Sequence, residues 1–188
     1  MDKKNELLAA AREVFAEKGY KAAGISDIAK RSQMAVGSFY KYYESKEAIF
    51  LEVYIAENSR IREETMRRVN WLGEPEAIVE QLFAVTFELI SPNKILAEWN
   101  KPGISQILHD YYNQDSGRAS NAFHQFLIQT FSQRLQEEGF SKEKIAEIMK
   151  VYDLIYYIDM HVTEQEFSGY FDSLETLVKY FVKGIFSK

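Results

Sequence analysis

The chain has 188 residues, 46% of them hydrophobic and 27% charged, with 23 Lys and Arg against 28 Asp and Glu and a formal net charge of −5. It has no cysteine, which excludes a disulfide framework and thiolate metal sites and fits a reducing compartment. No apolar run is long enough to span a bilayer and the first residues carry no apolar signal core, so a cytoplasmic protein is expected, with no membrane as partner.

Only 3 Pro and 9 Gly leave little room for turns, so long helices are expected. The first spans about Lys3 to Lys18, where Leu7, Leu8, Ala11, Val14 and Phe15 recur at helical spacing and Gly19 supplies the stop. A short helix follows from Ile25 to Ser32. A break at Gln33-Met34 then leads to a third helix from about Ala35 to Tyr43. Ser45 can cap a long fourth helix that reaches Val69, with Glu47 favourable in its first turn. Pro75 opens a helix to Ile90, and a short helix carries Trp99 between Ser91-Pro92 and Lys101-Pro102-Gly103. Ile104 to Tyr112, a helix ending at Glu138, Ser141 to His161, and Phe171 to Phe186 complete the chain, with a loop at Asn113–Gly117. The expected fold class is all-α.

Residues 1–50 hold nine basic and seven acidic side chains, a net of +2, whereas the remainder holds 14 and 21, a net of −7. A mildly positive head on an acidic body allows a polyanion at the head only. Two short helices joined by a tight turn after a supporting helix make a helix-turn-helix layout. At 100° per residue, Val36, Phe39 and Tyr43 fall on the inward face of the third helix. Gly37, Ser38 and Lys41 lie opposite, with Tyr40 and Tyr42 on the two flanks. A narrow, uncrowded face flanked by hydroxyls suits the major groove between its phosphate walls, and Lys46 adds charge at the next helix start.

Residues 7–50 resemble the DNA-binding domain of the TetR family of bacterial transcriptional regulators. The matching pieces are Ala9-Ala10, Val14-Phe15, Gly19-Tyr20, Ile25, Asp27-Ile28-Ala29, Gly37, Phe39-Tyr40, Tyr42 and Ser45-Lys46-Glu47. The resemblance implies a helix-turn-helix domain over 1–46 and a helical effector-binding and dimerisation domain over 47–188. It implies phosphate contacts from Tyr40, Tyr42 and Lys46, with Ser26, Val36, Gly37, Ser38 and Lys41 facing bases or adjacent backbone. Ala23, Gln33 and Ala35 depart from the pattern. A capping threonine, a turn glycine and a capping serine or threonine are usual at these positions, and Gly24 is placed to replace the first cap.

The resemblance also implies a homodimer built on the last two helices, reading a palindromic operator in double-stranded DNA. Two stripes could serve: Ile145, Ile148, Met149, Tyr152 and Ile155 on one helix, and Leu174, Leu177, Val178, Phe181 and Ile185 on the other. An apolar or aromatic small-molecule effector would lie among Phe83, Phe87, Trp99, Tyr111, Phe123, Phe126 and Tyr156, and would be cationic if Glu88 or Glu98 lines the site. No cofactor is expected. His109, His124 and His161 form no metal-ligand spacing, although Asp159, His161 and Glu164 could in principle converge. No phosphate-binding glycine loop or nucleophile motif is present, so the chain is read as a regulator rather than an enzyme, most simply a repressor released by its effector. The alternatives are a helical carrier or enzyme, or a regulator acting mainly through a protein partner.

Overall fold

Asp2 accepts the Lys4 backbone N–H at 3.1 Å and opens α1 (Lys3–Ala22) in the computed structural model, which describes residues 2–101, 103–113 and 121–187. Hydrogen bonding carries α1 to Ala22, but its dihedrals break at Gly19, at φ 74°, where the sequence places the stop. Next come α2 (Ile25–Arg31), α3 (Val36–Phe39), α4 (Lys46–Arg68) and α5 (Pro75–Ile90). The expected helix around Trp99 is a 3-10 helix, Leu96–Asn100, opened by Asn93, whose Oδ1 accepts from the Ile95 and Leu96 N–H groups. Then follow α6 (Ser105–Asn113), α7 (Ala122–Glu137), α8 (Lys142–His161) and α9 (Tyr170–Phe186). Asn113, expected in a loop, closes α6, while the rest of that loop and Pro102 lie outside the described residues. Among the described residues the fold is all-α, and none of the helices is long and apolar enough to cross a membrane.

Residues 1–62 with 87–110 form one compact unit, and residues 63–86 with 111–188 form another. The first unit buries Leu7, Val14, Phe15, Ile28, Phe39, Ile49 and Phe50 completely or nearly so. Phe15 and Phe50 meet edge to face with ring centroids 4.9 Å apart, and Tyr20 packs on Phe50 at 4.8 Å. In the second unit Val79 and Phe83 of α5 pack with Leu174 and Val182 of α9, joined by Ile155, Val178 and Phe181. Trp71 donates its indole N–H to the Met66 carbonyl at 2.7 Å and meets Phe126 edge to face.

The first unit also encloses a charge. Glu57 of α4 is only 3% exposed. Its carboxylate receives Arg12 of α1 at 2.8 Å, Arg60 at 2.8 Å and the Asn93 amide at 2.8 Å. Burial favours the neutral acid, but hydrogen bonds from Arg60, Arg12 and Asn93 outweigh it and hold the carboxyl down at about 2. A depressed carboxyl stabilises the fold above its ordinary value near 4.5 and loses that contribution as pH falls toward about 2. Urea unfolding across that window is expected to show a loss of roughly 3 kcal/mol in the wild type. The Glu57→Gln variant is expected to lack that part of the slope and to lose about 3 kcal/mol at neutral pH, because two guanidinium groups lose their anion.

Candidate nucleic-acid interface

Two sets of ion pairs hold α2 against α1. Arg31 reaches Glu17 through both terminal nitrogens, at 2.8 and 3.0 Å, and Glu13 at 2.8 Å, while Lys18 pairs with Asp27 at 2.8 Å. No side chain caps α2. Gly24 occupies the capping position and donates its N–H to Asp27 Oδ2 at 3.0 Å, the arrangement expected once Ala23 replaces a hydroxyl residue.

The turn closes as a Schellman motif, with the Gln33 N–H on the Lys30 carbonyl and the Met34 N–H on the Ala29 carbonyl, at 3.2 and 2.8 Å. Its left-handed residue is Gln33, at φ 56°. A side chain there costs about 1 kcal/mol. Ala35, at the start of α3, offers no side-chain cap.

The recognition helix is shorter than its apolar spacing suggests. Regular helix ends at Phe39, and the Tyr42 and Tyr43 N–H groups both return to the Phe39 carbonyl, at 2.9 and 3.1 Å. The chain therefore tightens instead of continuing to Tyr43. Phe39 and Tyr43 are buried as expected, and Tyr43 donates to Glu52 at 2.9 Å. Val36 is not on the inward face: it is 45% exposed in the first turn, beside exposed Gly37. Tyr40 and Tyr42 are 56% and 37% exposed, Lys41 and Ser26 are exposed, and Ser38 is half-buried. A Cβ built on Gly37 would meet nothing within 4 Å and its φ is not positive, so the fold itself does not demand glycine there.

Lys46 has a different environment from the exposed groups. Its Nζ donates to the Tyr20 and Ala23 carbonyls at 2.9 and 3.0 Å and lies 4.3 Å from the Tyr20 ring centroid. It caps the end of α1, a use of the cation that its position in the sequence did not suggest. Ser45 does cap α4, accepting the Ala48 N–H at 3.1 Å.

The expected interface stripes are divided. Ile148 and Leu174 are buried within the subunit, and Ile155, Val178 and Phe181 flank the core of the second unit. Ile145, Met149, Tyr152 and Ile185 are half-buried, and Leu177 is exposed. The exposed apolar groups of α8 and α9 are instead Val151, Leu154, Tyr157, Leu177 and Tyr180, the last 69% exposed.

The expected effector residues fall in both units. Phe87 and Trp99 belong to the first unit, whereas Phe83, Tyr111, Phe123, Phe126 and Tyr156 belong to the second. Phe83 and Phe123 are buried, Phe87 is exposed, and Tyr156 stacks on His124 at 3.7 Å and accepts from Asn121. Glu98 is buried and paired with Lys101 at 3.0 Å; Glu88 is exposed. Asp159, His161 and Glu164 do not converge: they meet Tyr170, the Tyr157 carbonyl and the Gly169 N–H respectively. Among the described residues no cluster is placed to hold a metal ion.

A supported two-helix turn presenting small residues and phenols makes this a helix-turn-helix protein. Residues 7–53 match the family described as bacterial regulatory proteins, tetR family. The HTH-type transcriptional regulator YdgC of Bacillus subtilis is 32% identical over 102 residues, 52% of each chain. QacR of Staphylococcus aureus, also an HTH-type transcriptional regulator, is 34% identical over 64 residues, 34% of each chain. The chain thus spans about half and about a third of these relatives' lengths. Among solved structures, a TetR-like transcriptional regulator from Rhodococcus sp. RHA1 shares the fold with a TM-score of 0.53 at 17% identity, covering 99% of this chain and 97% of its own. A TetR variant from Acinetobacter baumannii AYE in complex with minocycline gives 0.51 at 12% identity, covering 98% and 96%. The N-terminal region, residues 7–53, is thus similar to the tetR family of bacterial regulatory proteins, and the fold as a whole is similar to that of the solved TetR-type regulators.

The two local defects of the turn are separable by thermal denaturation. Ala35→Ser, which restores a cap at an exposed position, is expected to stabilise by about 1 kcal/mol. Gln33→Gly relieves the left-handed strain but loosens the unfolded chain, for a smaller net gain of about 0.5 kcal/mol.

Proposed function

We propose that the chain is a transcriptional regulator that binds double-stranded DNA as a homodimer and is released from a palindromic operator by a small-molecule effector. The observation carrying this reading is the glycine at position 37. It is exposed, unstrained and sterically unconstrained, and it sits on a helix with Ser38, Tyr40, Lys41 and Tyr42 around it. Glycine weakens a helix by roughly 0.5–1 kcal/mol relative to alanine, so its presence here is accounted for by close approach of another backbone. Tyr40 and Tyr42 are the phosphate donors in this reading, with Lys41, Ser26, Ser38 and Val36 at the groove. Lys46 acts indirectly, by fixing the start of α4 against α1.

A single head makes few contacts, and two heads about one helical turn (~34 Å) apart supply the second half-site. We assign the dimer seam to Val151, Leu154 and Tyr157 of α8 with Leu177 and Tyr180 of α9, the apolar groups that the subunit's own core leaves exposed. A small-molecule effector is supported by the TetR variant crystallised in complex with minocycline, a ligand of that protein carried here only as part of the proposal. The effector is apolar or aromatic in this reading, since buried Glu98 is already paired with Lys101.

Gel shifts with duplexes selected from a random pool, against competitor DNA, test the reading. Gly37→Ala is expected to raise the melting temperature slightly and weaken duplex binding at least fivefold; a variant that is stabilised and binds normally would sink the groove assignment. Tyr40→Phe with Tyr42→Phe is expected to weaken binding about tenfold or more, since each lost hydrogen bond costs about 1 kcal/mol. For the seam, Leu154→Glu with Tyr180→Glu is expected to convert the dimer to folded monomer in analytical ultracentrifugation; an unchanged dimer would move the interface elsewhere.

A further inference from the structure

The end of α1 is held from two sides. On one side lies the segment 93–101. Lys94 Nζ donates to the Glu17 carbonyl at 2.6 Å, and buried Glu98 accepts the Tyr20 backbone N–H at 3.4 Å. On the other side lies the first turn of α4. Lys46 Nζ takes the Tyr20 and Ala23 carbonyls, and Glu47 accepts the Tyr20 phenol at 2.6 Å. Burial, reinforced by Glu47, pushes that phenol's pKa up and keeps it a donor. Tyr20 thus commits its N–H to one neighbour, and its carbonyl and hydroxyl to the other.

These bonds leave little independent freedom. A shift of 93–101 by about 1 Å would lengthen the Glu98 and Lys94 bonds past hydrogen-bond range unless Glu17–Tyr20 followed. Gly19 gives the joint the freedom to follow, since its φ of 74° breaks the helix one residue before Tyr20, and a Cβ there would stand 3.6 Å from Glu98 Oε1. Whatever Tyr20 does is passed to Lys46 and Glu47, three and four residues beyond Tyr43, where the turn that follows the recognition helix closes. The same segment carries Trp99, stacked on Tyr54 of α4 with centroids 6.2 Å apart.

We propose that Glu98, assisted by Lys94, is a positioning residue for DNA binding, coupling the segment 93–101 to the recognition helix through Tyr20 and Lys46. The proposal rests on the DNA-binding reading above. Coupling of this kind is reciprocal: a segment that biases DNA binding must itself respond to DNA.

Trp99 reports that response. The chain has two tryptophans, so Trp71→Phe leaves Trp99 as the sole tryptophan, excited selectively beyond the tyrosine absorption band. A duplex selected from a random pool is titrated into this protein, and binding is followed by anisotropy of the labelled DNA alongside Trp99 emission and acrylamide quenching. Saturation is expected to shift Trp99 emission in step with binding. Glu98→Gln and, separately, Lys94→Met are expected to remove at least half of that change while the duplex still binds and circular dichroism stays native. Lys94 is exposed and its variant is expected to fold even where Glu98→Gln does not. Duplex binding with unchanged Trp99 emission overturns the coupling but leaves the DNA-binding reading intact, as does a Trp99 response undiminished in both variants. Failure to select any duplex overturns the DNA-binding reading and the coupling with it.

Discussion

A carboxylate removed from water sets the frame of the first unit. Glu57 on α4 stays charged only because Arg12 arrives from α1, Arg60 from its own helix and Asn93 from the connection after α5. Asn93 in turn uses its carbonyl oxygen to start the 3-10 helix. One buried anion therefore fixes three chain segments distant in sequence, with a direction that apolar packing alone lacks. Hydrophobic faces would tolerate small slips of α1 along α4, whereas a guanidinium hydrogen bond does not. Such a node is costly to assemble and is weak grounds for added stability over an apolar core, so its benefit lies in register.

Around that fixed core the recognition element is built loosely. It lacks a cap on α3, keeps a side chain in a left-handed turn and has a glycine where alanine would fit. Each choice costs on the order of 1 kcal/mol, and all three fall between Gln33 and Gly37. The buried Phe39 and Tyr43 carry the attachment. Marginal local stability on a rigid support is the arrangement that suits a surface required to adapt to a partner.

Much of this was legible in the sequence, and the misses have distinct causes. Leu7, Val14, Phe15, Ile28 and Phe39 announce the first core through spacing alone, and the absence of glycine at Gln33 forecasts the strained φ. A helical wheel puts Val36 on the inward face with Phe39, but Val36 opens a helix of a single turn and stays exposed while Phe39 is buried. Lys46 reads as a free cation until the orphaned carbonyls of α1 are brought beside it by tertiary packing. The α8 and α9 stripes carry apolar groups on more than one side, and only packing against α5 decides which side the subunit keeps. Glu98 reads in the sequence only as an acid that could line an effector site, and nothing there points to its hydrogen bond with the Tyr20 N–H.

Most cations of the first fifty residues already have partners. Lys3, Lys4, Lys18, Arg12 and Arg31 are in ion pairs and Lys46 is on carbonyls, whereas no ion pair is made by Lys21, Lys30 or Lys41 among the described residues. Under the proposed reading, the duplex would be held mainly by neutral donors. Few condensed counterions would then be displaced per head, and the logarithm of affinity would fall gently with the logarithm of ionic strength. A protein built this way would keep its site through osmotic swings that strip more basic proteins from DNA, and would spend little time on unrelated sequence.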